Sequence, residues 1–233
     1  MASNKFNVNI IAAYCTNRGL GNENTIPWRL KADIQRFKTL TIGSINNIVD
    51  NDKSKMNVVI MGRKTYESLP QHLRPLSSRI NVVLTSQAEE RTQENNSTAK
   101  HKNLVYLKNY ENLYTWATEN KDHINDIYVI GGGQIYNDFL YDEECHKYFI
   151  TTKLYITKIE EKFKCDTKFP RIPHSYTIIN STDLLEEVSE KTLKYYYLDY
   201  ELDSNKLHHE FNYLNTLRNV ILNAKDRNDR TGE

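Results

Sequence analysis

The sequence has little cysteine, and the spacing of its cysteines suits neither a crosslinked nor a metal-binding protein. Cys15, Cys145 and Cys165 are the three cysteines among 233 residues, and they are widely separated. This pattern matches neither a disulfide framework nor a CxxC metal knuckle. We therefore expect reduced, structural thiols and no metal site.

The sequence also lacks an excess of one charge and a long apolar run. Its 31 Lys and Arg residues balance 30 Asp and Glu residues, so the strong positive field typical of non-specific nucleic-acid or membrane-surface binding is missing. The amino-terminal segment MASNKFNVNIIAAYC has only a short apolar run with polar residues in it, which excludes a signal peptide and a membrane span. We expect a cytoplasmic protein whose partner is a small molecule rather than nucleic acid or a membrane.

What the sequence does have is an alternation of short apolar segments with helical patterns. Its length and its 39% hydrophobic composition suit one compact domain with some surplus. Runs of strand length and β-branched composition are residues 8–15, 58–61, 80–85, 104–107, 127–130 and 154–159. Helical patterns are residues 32–40, 110–119 and 134–140. The alternation predicts an α/β fold with a mostly parallel central sheet and flanking crossover helices.

Three further regions depart from this alternation. Residues 176–180 and 193–200 are β-rich runs without a helix between them, which predicts an antiparallel hairpin at a sheet edge. Residues 41–55 and 87–103 are polar and rich in Asn, Ser, Lys and Glu, and we interpret both as mobile surface insertions. Residues 207–222 carry apolar positions at helical spacing, which predicts an amphipathic helix beyond the last strand.

An acidic residue interrupts the apolar face of the first predicted helix. The positions that share this face by i, i+3, i+4, i+7 spacing are Leu30, Asp33, Ile34, Phe37 and Leu40. Asp33 is either a solvated acid favoured by the helix dipole or a buried acid that binds a cationic or amidine-like ligand. Thr157, in the alternating strand 154–159, is either a filler or a partner of such an acid. Residues 19–28, with two glycines, a proline and Trp28, form either a mobile lid or an ordinary connection.

Two turns have the composition of phosphate-binding sites. Residues 130–136 end a strand and open a helix, so exposed N–H groups and the helix dipole suit a pyrophosphate. This is not a Rossmann fingerprint, because Tyr136 stands three residues after Gly133, and the glycines could simply form a tight turn. Arg63 and Lys64 follow another strand, where Arg63 together with Thr85 and the next serine would suit a ribose 2′-phosphate. A solvated basic turn is the alternative.

Several segments together resemble the dihydrofolate reductase family and occur in that family's order. They are residues 11–13, Gly21 through Pro27-Trp28, Ala32-Asp33 with Phe37-Lys38, residues 59–63, residues 77–81, Gly131 to Tyr136, and Cys165-Asp166-Thr167 with Phe169-Pro170. The resemblance covers roughly residues 6–200, and the joint match is far more specific than any single motif. It implies NADPH-dependent reduction of 7,8-dihydrofolate to tetrahydrofolate for one-carbon metabolism and thymidylate synthesis, and inhibition by antifolates.

The resemblance also assigns substrate-side roles. It implies that Asp33 is the catalytic carboxylate that binds the pterin's amino group and ring nitrogen, with Thr157 beside it and a pKa raised by burial. It places Trp28 over the substrate end of the site as the second catalytic residue. The other substrate-binding residues it implies are Ile11, Ala12, Phe37, Ile130 and Arg79. The guanidinium of Arg79 would pair with the substrate's glutamate carboxylate, a task that its fork geometry suits.

The cofactor-side residues follow from the same resemblance. On the nicotinamide side they are Ala13, Leu20 and Gly21. On the adenosine phosphate side they are Gly62, Arg63, Lys64, Thr65, Leu84, Thr85 and Ser86. The pyrophosphate cradle is Gly131, Gly132, Gly133, Gln134, Ile135 and Tyr136. One departure is Tyr66, where tryptophan is common in the family.

The two polar insertions and the abundant Asn, Lys and Tyr resemble reductases of apicomplexan parasites, which are usually fused to thymidylate synthase. His209 to Leu214 and Arg227 to Gly232 resemble the first helix and following turn of that synthase, with Arg230 as a nucleotide-phosphate ligand. We therefore expect a reductase domain at residues 1–200 and a linker with a truncated start of the synthase at 201–233. Because the synthase's cysteine nucleophile is missing, we expect no synthase activity here. A plain linker helix is the alternative.

Two other functions stay open at this point. One is a reductase of a riboflavin-pathway intermediate with the same fold, against which the helix-borne Asp33 and Arg79 argue. The other is a non-catalytic nucleotide- or RNA-binding module, suggested by the phosphate-cradling glycines and the basic turns. Turnover of the respective substrate, or RNA binding with a steep salt dependence, separates these functions from the first.

Overall fold

The computed structural model describes residues 5–43, 55–98, 102–188 and 192–206. The strands are β1 Phe6–Cys15, β2 Gly19–Gly21, β3 Met56–Gly62, β4 Ile80–Leu84, β5 Leu104–Leu107, β6 Ile124–Gly131, β7 Phe149–Ile159, β8 Thr167–Lys168, β9 Tyr176–Ser181, β10 Leu185–Val188 and β11 Thr192–Leu202. The helices are α1 Lys31–Ile42, α2 Arg63–Ser68, α3 Ala88–Thr98, α4 Tyr110–Glu119, α5 Gly133–Tyr141 and α6 Glu143–His146.

Within the described residues, nine strands form one sheet with the order β10-β11-β7-β1-β6-β3-β4-β5, and β9 also pairs with β11. The six strands from β7 to β5 in this order run parallel to one another. Helices or loops connect them across the faces, as parallel pairing requires. The predicted α/β fold with a mostly parallel sheet is confirmed.

Both faces of the sheet are covered, which explains why the central strands are almost continuously apolar. Alternate residues of β3 show the division: Val58 and Ile60 pack on the face covered by α4 and α5, whereas Val59 and Met61 pack on the opposite face. The second face also receives Phe37 of α1. Helix α1 therefore lies against the face of the sheet to which Ile11 contributes.

The carboxyl-terminal strands form the predicted antiparallel edge. β11 pairs antiparallel with β7 on one side and with β9 and β10 on the other. Strand β10 was not expected, because its sequence LEEV alternates apolar and acidic residues within a polar stretch. It places Glu187 next to the start of α1, which matters for the site.

Two sequence predictions need correction. Residues 87–103, interpreted as a mobile surface insertion, contain a helix that was not predicted, because residues 88–98 form α3. This polar helix buries Ala88, has Glu89 and Glu90 in its first turn, where the helix dipole favours acids, and ties Arg91 to Glu67.

The predicted apolar face of α1 is also wrong at one position, since Ile34 is 59% exposed. Of the predicted insertion 41–55, Thr41 and Ile42 belong to α1, and residues 44–54 lie outside the described residues. The helix predicted at 207–222 also lies outside them. In the described parts of the chain, no helix is long and apolar enough to cross a membrane.

Candidate active site

The turns singled out in the sequence meet at the carboxyl edge of the parallel strands. Register places Ala13 of β1 opposite Thr157 of β7, and Gly62 of β3 opposite Leu84 of β4. Met61 lies opposite Gly131 of β6. Ligands of open α/β sheets bind at this edge, because loops from several strands converge there.

The glycine turn at residues 131–133, which we call the cradle, has backbone that approaches its neighbours too closely for side chains. A Cβ on Gly132 would stand 3.1 Å from Oγ1 of Thr65, and one on Gly133 would stand 2.8 Å from Cγ2 of Thr167. Gly131 has a φ of +116°, and a Cβ on it would stand 3.2 Å from the ring of Tyr136. Gly132 is the N-cap of α5, so the cradle presents free N–H groups at a helix start. This geometry fits a pyrophosphate.

The basic turn lies beside the cradle. Gly62 packs against Ile135, which joins the start of α2 to α5. Arg63 donates to Glu67 at 3.0 Å on an exposed face. A cavity of about 280 Å³ is lined by Asn24, Arg63, Lys64, Glu67 and Ser68.

The other predicted phosphate-side residues differ in exposure. Thr85 is buried, and its Oγ1 accepts a hydrogen bond from the backbone N–H of Gln87 at 3.2 Å, whereas Ser86 is exposed. Gln134 is also exposed, and its amide donates to Asp138 at 2.6 Å, so in this structure its side chain turns to α5 itself. Leu20 approaches the cradle from β2, 3.8 Å from a Cβ placed on Gly133.

Asp33 is partly buried in the first turn of α1 and contacts β7. Desolvation by burial raises the pKa of its carboxyl group, while a hydrogen bond from the Thr157 hydroxyl and the nearby Arg36 charge oppose that rise. Thr157 itself is 1% exposed. The structure thus brings together the two residues that the sequence could not pair without the family resemblance. The carboxyl group keeps its proton to a higher pH than an ordinary aspartate.

A residue that the sequence analysis missed fixes the start of α1. The N-cap residue is Leu30, which has no side-chain acceptor, and the carboxylate of Glu187 instead accepts from the backbone N–H groups of Lys31 and Ala32 at 2.8 and 2.9 Å. The absence of a capping side chain in the sequence before α1 was the available signal, because helix N-termini need an acceptor. Glu187 therefore positions the turn that carries Asp33.

Farther along α1, Phe37 lies next to Arg79, the residue just before β4. Arg79 is 4% exposed, and its guanidinium carbon stands 5.6 Å from the Phe37 ring centre. It donates to Oγ1 of Thr41 at 2.7 Å and to the Ser77 carbonyl at 2.9 Å. Burial lowers the pKa of Arg79, yet an arginine stays charged at neutral pH. None of the described carboxylates forms an ion pair with it, so its charge is free for an anionic ligand.

Tyr136, in the first turn of α5 after the cradle, is fixed to β1. The Tyr136 hydroxyl donates to the Ile11 carbonyl at 2.9 Å, and burial raises the pKa of this phenol. Ala12 is buried on the opposite face of β1 from Ile11, and Ile130 is half-buried. Tyr136 thus joins α5 to β1 at the point where the cradle meets the predicted substrate pocket.

The loop at residues 19–28, interpreted as either a lid or an ordinary connection, begins with β2, which pairs with β8. Gly19 packs against the sulfurs of Cys15 and Cys165, and the Glu23 N–H donates to Asp166 at 2.8 Å. Gly21 is packed under the Thr25 carbonyl, 2.9 Å from the position of a Cβ. At the far end of the loop the Trp28 ring packs on Phe163, with 5.3 Å between ring centres.

Fold and site together define an α/β protein with a glycine cradle suited to a phosphate and a partly buried acid at the same sheet edge. A family model described as "Dihydrofolate reductase" matches residues 7–202. The chain belongs to the dihydrofolate reductase family, and so is an oxidoreductase that reduces dihydrofolate with a nicotinamide cofactor.

Relatives of two kinds match the chain. The reductase of Drosophila melanogaster is 34% identical over 168 residues, which is 72% of this chain and 81% of that protein. The reductase of Pneumocystis carinii is 38% identical over 162 residues, 69% of this chain and 72% of that protein. A bifunctional dihydrofolate reductase-thymidylate synthase of Zea mays is 26% identical in an alignment 264 residues long, which covers 97% of this chain and 47% of that protein. The chain spans about half the length of this bifunctional relative.

Proposed function

We propose that this enzyme reduces 7,8-dihydrofolate to 5,6,7,8-tetrahydrofolate with NADPH, and that Asp33 is its acidic catalytic residue. The observation that carries the proposal is the contact of a half-buried carboxyl group of raised pKa with the Thr157 hydroxyl, at the sheet edge that also holds the glycine cradle. A buried acid that faces a ligand site is a functional candidate on physical grounds.

The chain's own residues bind and orient the pterin. The Asp33 carboxyl hydrogen-bonds the amino group and ring nitrogen of the pterin, and the Thr157 hydroxyl holds the carboxyl group in place. Ile11, Phe37 and Ile130 form apolar walls around the ring system, which exclude water. Because the Asp33 carboxyl resists ionisation, it keeps a proton available for the side of the ring where N5 is protonated. NADPH, when bound, supplies the hydride that C6 receives.

We assign the substrate's glutamate carboxylate to Arg79. Its guanidinium is buried, charged and fixed by the Thr41 hydroxyl and the Ser77 carbonyl, so little rotamer entropy remains to be lost on binding. A bidentate contact to a carboxylate suits the remaining donors. Trp28 lies at the loop end nearest to α1, where we place it over the substrate.

The cradle and the basic turn would hold NADPH. Gly131, Gly132 and Gly133 with Ile135 suit the pyrophosphate, and Ala13, Leu20 and Gly21 line the nicotinamide side. Arg63, Lys64, Thr65 and Thr85 with Ser86 surround the adenosine phosphate. Arg63→Gln is expected to raise KM for NADPH about tenfold or more and to change KM for NADH little, because only NADPH carries the 2′-phosphate. An equal effect on both cofactors would contradict this assignment.

The experiment that tests the function follows loss of reduced-nicotinamide absorbance when the protein is mixed with NADPH and 7,8-dihydrofolate. Wild type and Asp122→Asn, a surface carboxylate before the amino end of β6, are expected to turn over alike. Asp33→Asn is expected to lose about a hundredfold or more in rate, the usual contribution of a positioned acid. No oxidation by the folded wild type would overturn the function, and full activity of Asp33→Asn would overturn the site.

We further propose that the enzyme is an antifolate target, because a partly buried carboxylate suits a cationic, amidine-like ring. Asp33→Asn is expected to weaken such an inhibitor by about 10- to 100-fold, since charge-assisted hydrogen bonds are lost. The same inhibitor should bind Asp122→Asn as it binds wild type. Equal binding by all three proteins would contradict the proposal.

We also propose that a thymidylate synthase domain accompanies this reductase in the full-length protein. The bifunctional relatives align over 92–97% of this chain, whereas the monofunctional ones cover 69–83%. The likeness of residues 209–214 and 227–232 to the start of the synthase agrees with this difference. We divide the chain into a reductase domain at 1–200 and a linker with the synthase start at 201–233, and expect this chain alone to lack synthase activity. A cytoplasmic location agrees with its free thiols.

A further inference from the structure

Helix α1 carries a second charged residue toward the sheet, one turn after Asp33. Arg36 lies three residues beyond Asp33 and so shares its side of the helix. Its side chain is only 15% exposed, and its guanidinium carbon stands 4.4 Å from the Tyr197 ring centre and 5.9 Å from that of Tyr155. A cation between two aromatic rings is held in place as well as attracted. This charge is therefore held in a fixed position one helical turn from Asp33.

Hydrogen bonds fix the plane of the same guanidinium. One terminal nitrogen donates to the Ile156 carbonyl at 3.3 Å and to Oγ1 of Thr157 at 3.5 Å. The other forms an ion pair with Asp199, whose second oxygen accepts from Asn180 at 3.1 Å. Arginine is suited to such a site because its planar fork keeps its charge and its donor directions.

The contact between Arg36 and Thr157 leaves the threonine hydroxyl proton available to Asp33. A hydroxyl has one proton to donate and two lone pairs that accept. Oγ1 of Thr157 accepts from Arg36 through one lone pair, so its proton stays available for the hydrogen bond with the Asp33 carboxyl group. Arg36, Thr157 and Asp33 therefore form a continuous polar chain that ends at the proposed catalytic acid.

We infer that Arg36 is a positioning residue of the reduction, which holds the Thr157 hydroxyl beside Asp33 and keeps a fixed positive charge one turn from that acid. The inference rests on the proposed function, because it concerns the acid of that reaction. Without this charge, only the Thr157 hydrogen bond would oppose the effect of burial on the pKa of Asp33, and the acid would hold its proton to a higher pH. The arginine thus shifts the pH range in which the acid works to lower pH.

Besides Asp199 and Glu187, whose carboxylate is bound by the backbone N–H groups at the start of α1, the other titratable groups near this network are phenols that supply no comparable charge. Tyr136 from α5 and Tyr197 from β11 face Asp33, and burial raises the pKa of both phenols, so they are neutral at physiological pH. Tyr155 from β7 is likewise kept neutral by burial. Asp199 from β11 is the one anion paired with Arg36 among the described residues. Changes at Arg36 and Asp199 should therefore act on Asp33 with opposite signs.

The test is a titration of the Asp33 carboxyl in the full chain by carbon-13 NMR, with the resonance assigned by its loss in Asp33→Asn. Arg36→Met keeps the apolar stem and removes the charge, and is expected to raise the pKa of Asp33 by about 1 pH unit. Arg36→Lys keeps the charge and should return the pKa most of the way to the wild-type value. Asp199→Asn leaves Arg36 uncompensated and should lower the pKa of Asp33.

Steady-state rates against pH give the matching functional readout. The midpoint of the profile is expected to move up in Arg36→Met, down in Asp199→Asn and little in Arg36→Lys. An unmoved carboxyl pKa in folded Arg36→Met, or, should that variant fail to fold, an unmoved pKa in Asp199→Asn, would overturn the inference. If the NMR pKa values move as expected but wild type does not reduce dihydrofolate, the proposed function fails and the network stands.

Discussion

The cap that Glu187 provides to α1 leads to a quantitative prediction about both stability and substrate binding. Its carboxylate accepts two backbone hydrogen bonds, at 2.8 and 2.9 Å, from the start of the helix that carries Asp33. Removing a side-chain N-cap costs about 0.5–2 kcal/mol, and a negative charge at a helix N-terminus adds about 0.3–1 kcal/mol. We expect Glu187→Ala to lower the free energy of unfolding by about 1–2 kcal/mol.

Glu187→Gln separates the two contributions. An amide oxygen still accepts a hydrogen bond but carries no charge, so about half of the loss should return. At this chain length, each kcal/mol corresponds to a fall in Tm of about 2–4 °C. Urea unfolding at an unchanged m value measures the free energy, and KM for dihydrofolate should rise in both variants because the Asp33 turn loses its anchor.

The neighbouring residue supplies a matched control. Glu186 precedes Glu187 on β10, and among the described residues its one ion pair is with Lys194, at 3.1 Å, with both side chains about half exposed. Such surface ion pairs are worth about 0–1 kcal/mol. Glu186→Ala should therefore cost less than half as much as Glu187→Ala and leave KM unchanged. Equal losses in the two variants would refute the capping argument.

Three other predictions follow from burial and packing. Burial raises the folded pKa of Asp33 above the ordinary value of 3.8, so above about pH 4 this residue lowers the free energy of unfolding. Asp33→Asn should therefore be more stable than wild type at neutral pH, and urea unfolding should show this advantage disappear as the pH falls below about 4. Gly133→Ala should cost about 1–3 kcal/mol in the same assay and weaken NADPH binding, because the new Cβ would stand 2.8 Å from Thr167; wild-type stability would contradict this. In native protein at pH 8, a thiol reagent should modify Cys165, whose pKa burial raises to about 11, before the fully buried Cys145; the opposite order in mass spectrometry would contradict the packing.

The parallel sheet and its ligand-binding edge were predictable, because each parallel strand has a local signal in the sequence, an apolar run followed by a turn. The ends of β3 and β6 were identified from Gly62 and from the cradle in this way. The pairing of Asp33 with Thr157 was not predictable from the residues alone, since it joins α1 to a distant strand. The family resemblance supplied it, and the structure shows the contact.

The features that were missed depend on distant or context-dependent contacts. Glu187 caps α1 from 155 residues away, and its own strand looks like part of a polar stretch. From the sequence, Arg36 looks like an ordinary surface charge on a helix, because its contacts with Tyr197 and Asp199 come from the distant strand β11. Helix α3 was misjudged because a polar composition indicates exposure but does not distinguish a surface helix from an irregular loop.

The central claim, hydride transfer from NADPH to dihydrofolate, is tested most directly with NADPH deuterated at both C4 positions. After one turnover by the wild-type chain, mass spectrometry and proton NMR are expected to find one deuterium in the tetrahydrofolate, at C6. Tetrahydrofolate without deuterium at C6, or oxidation of the cofactor without formation of tetrahydrofolate, would contradict the account.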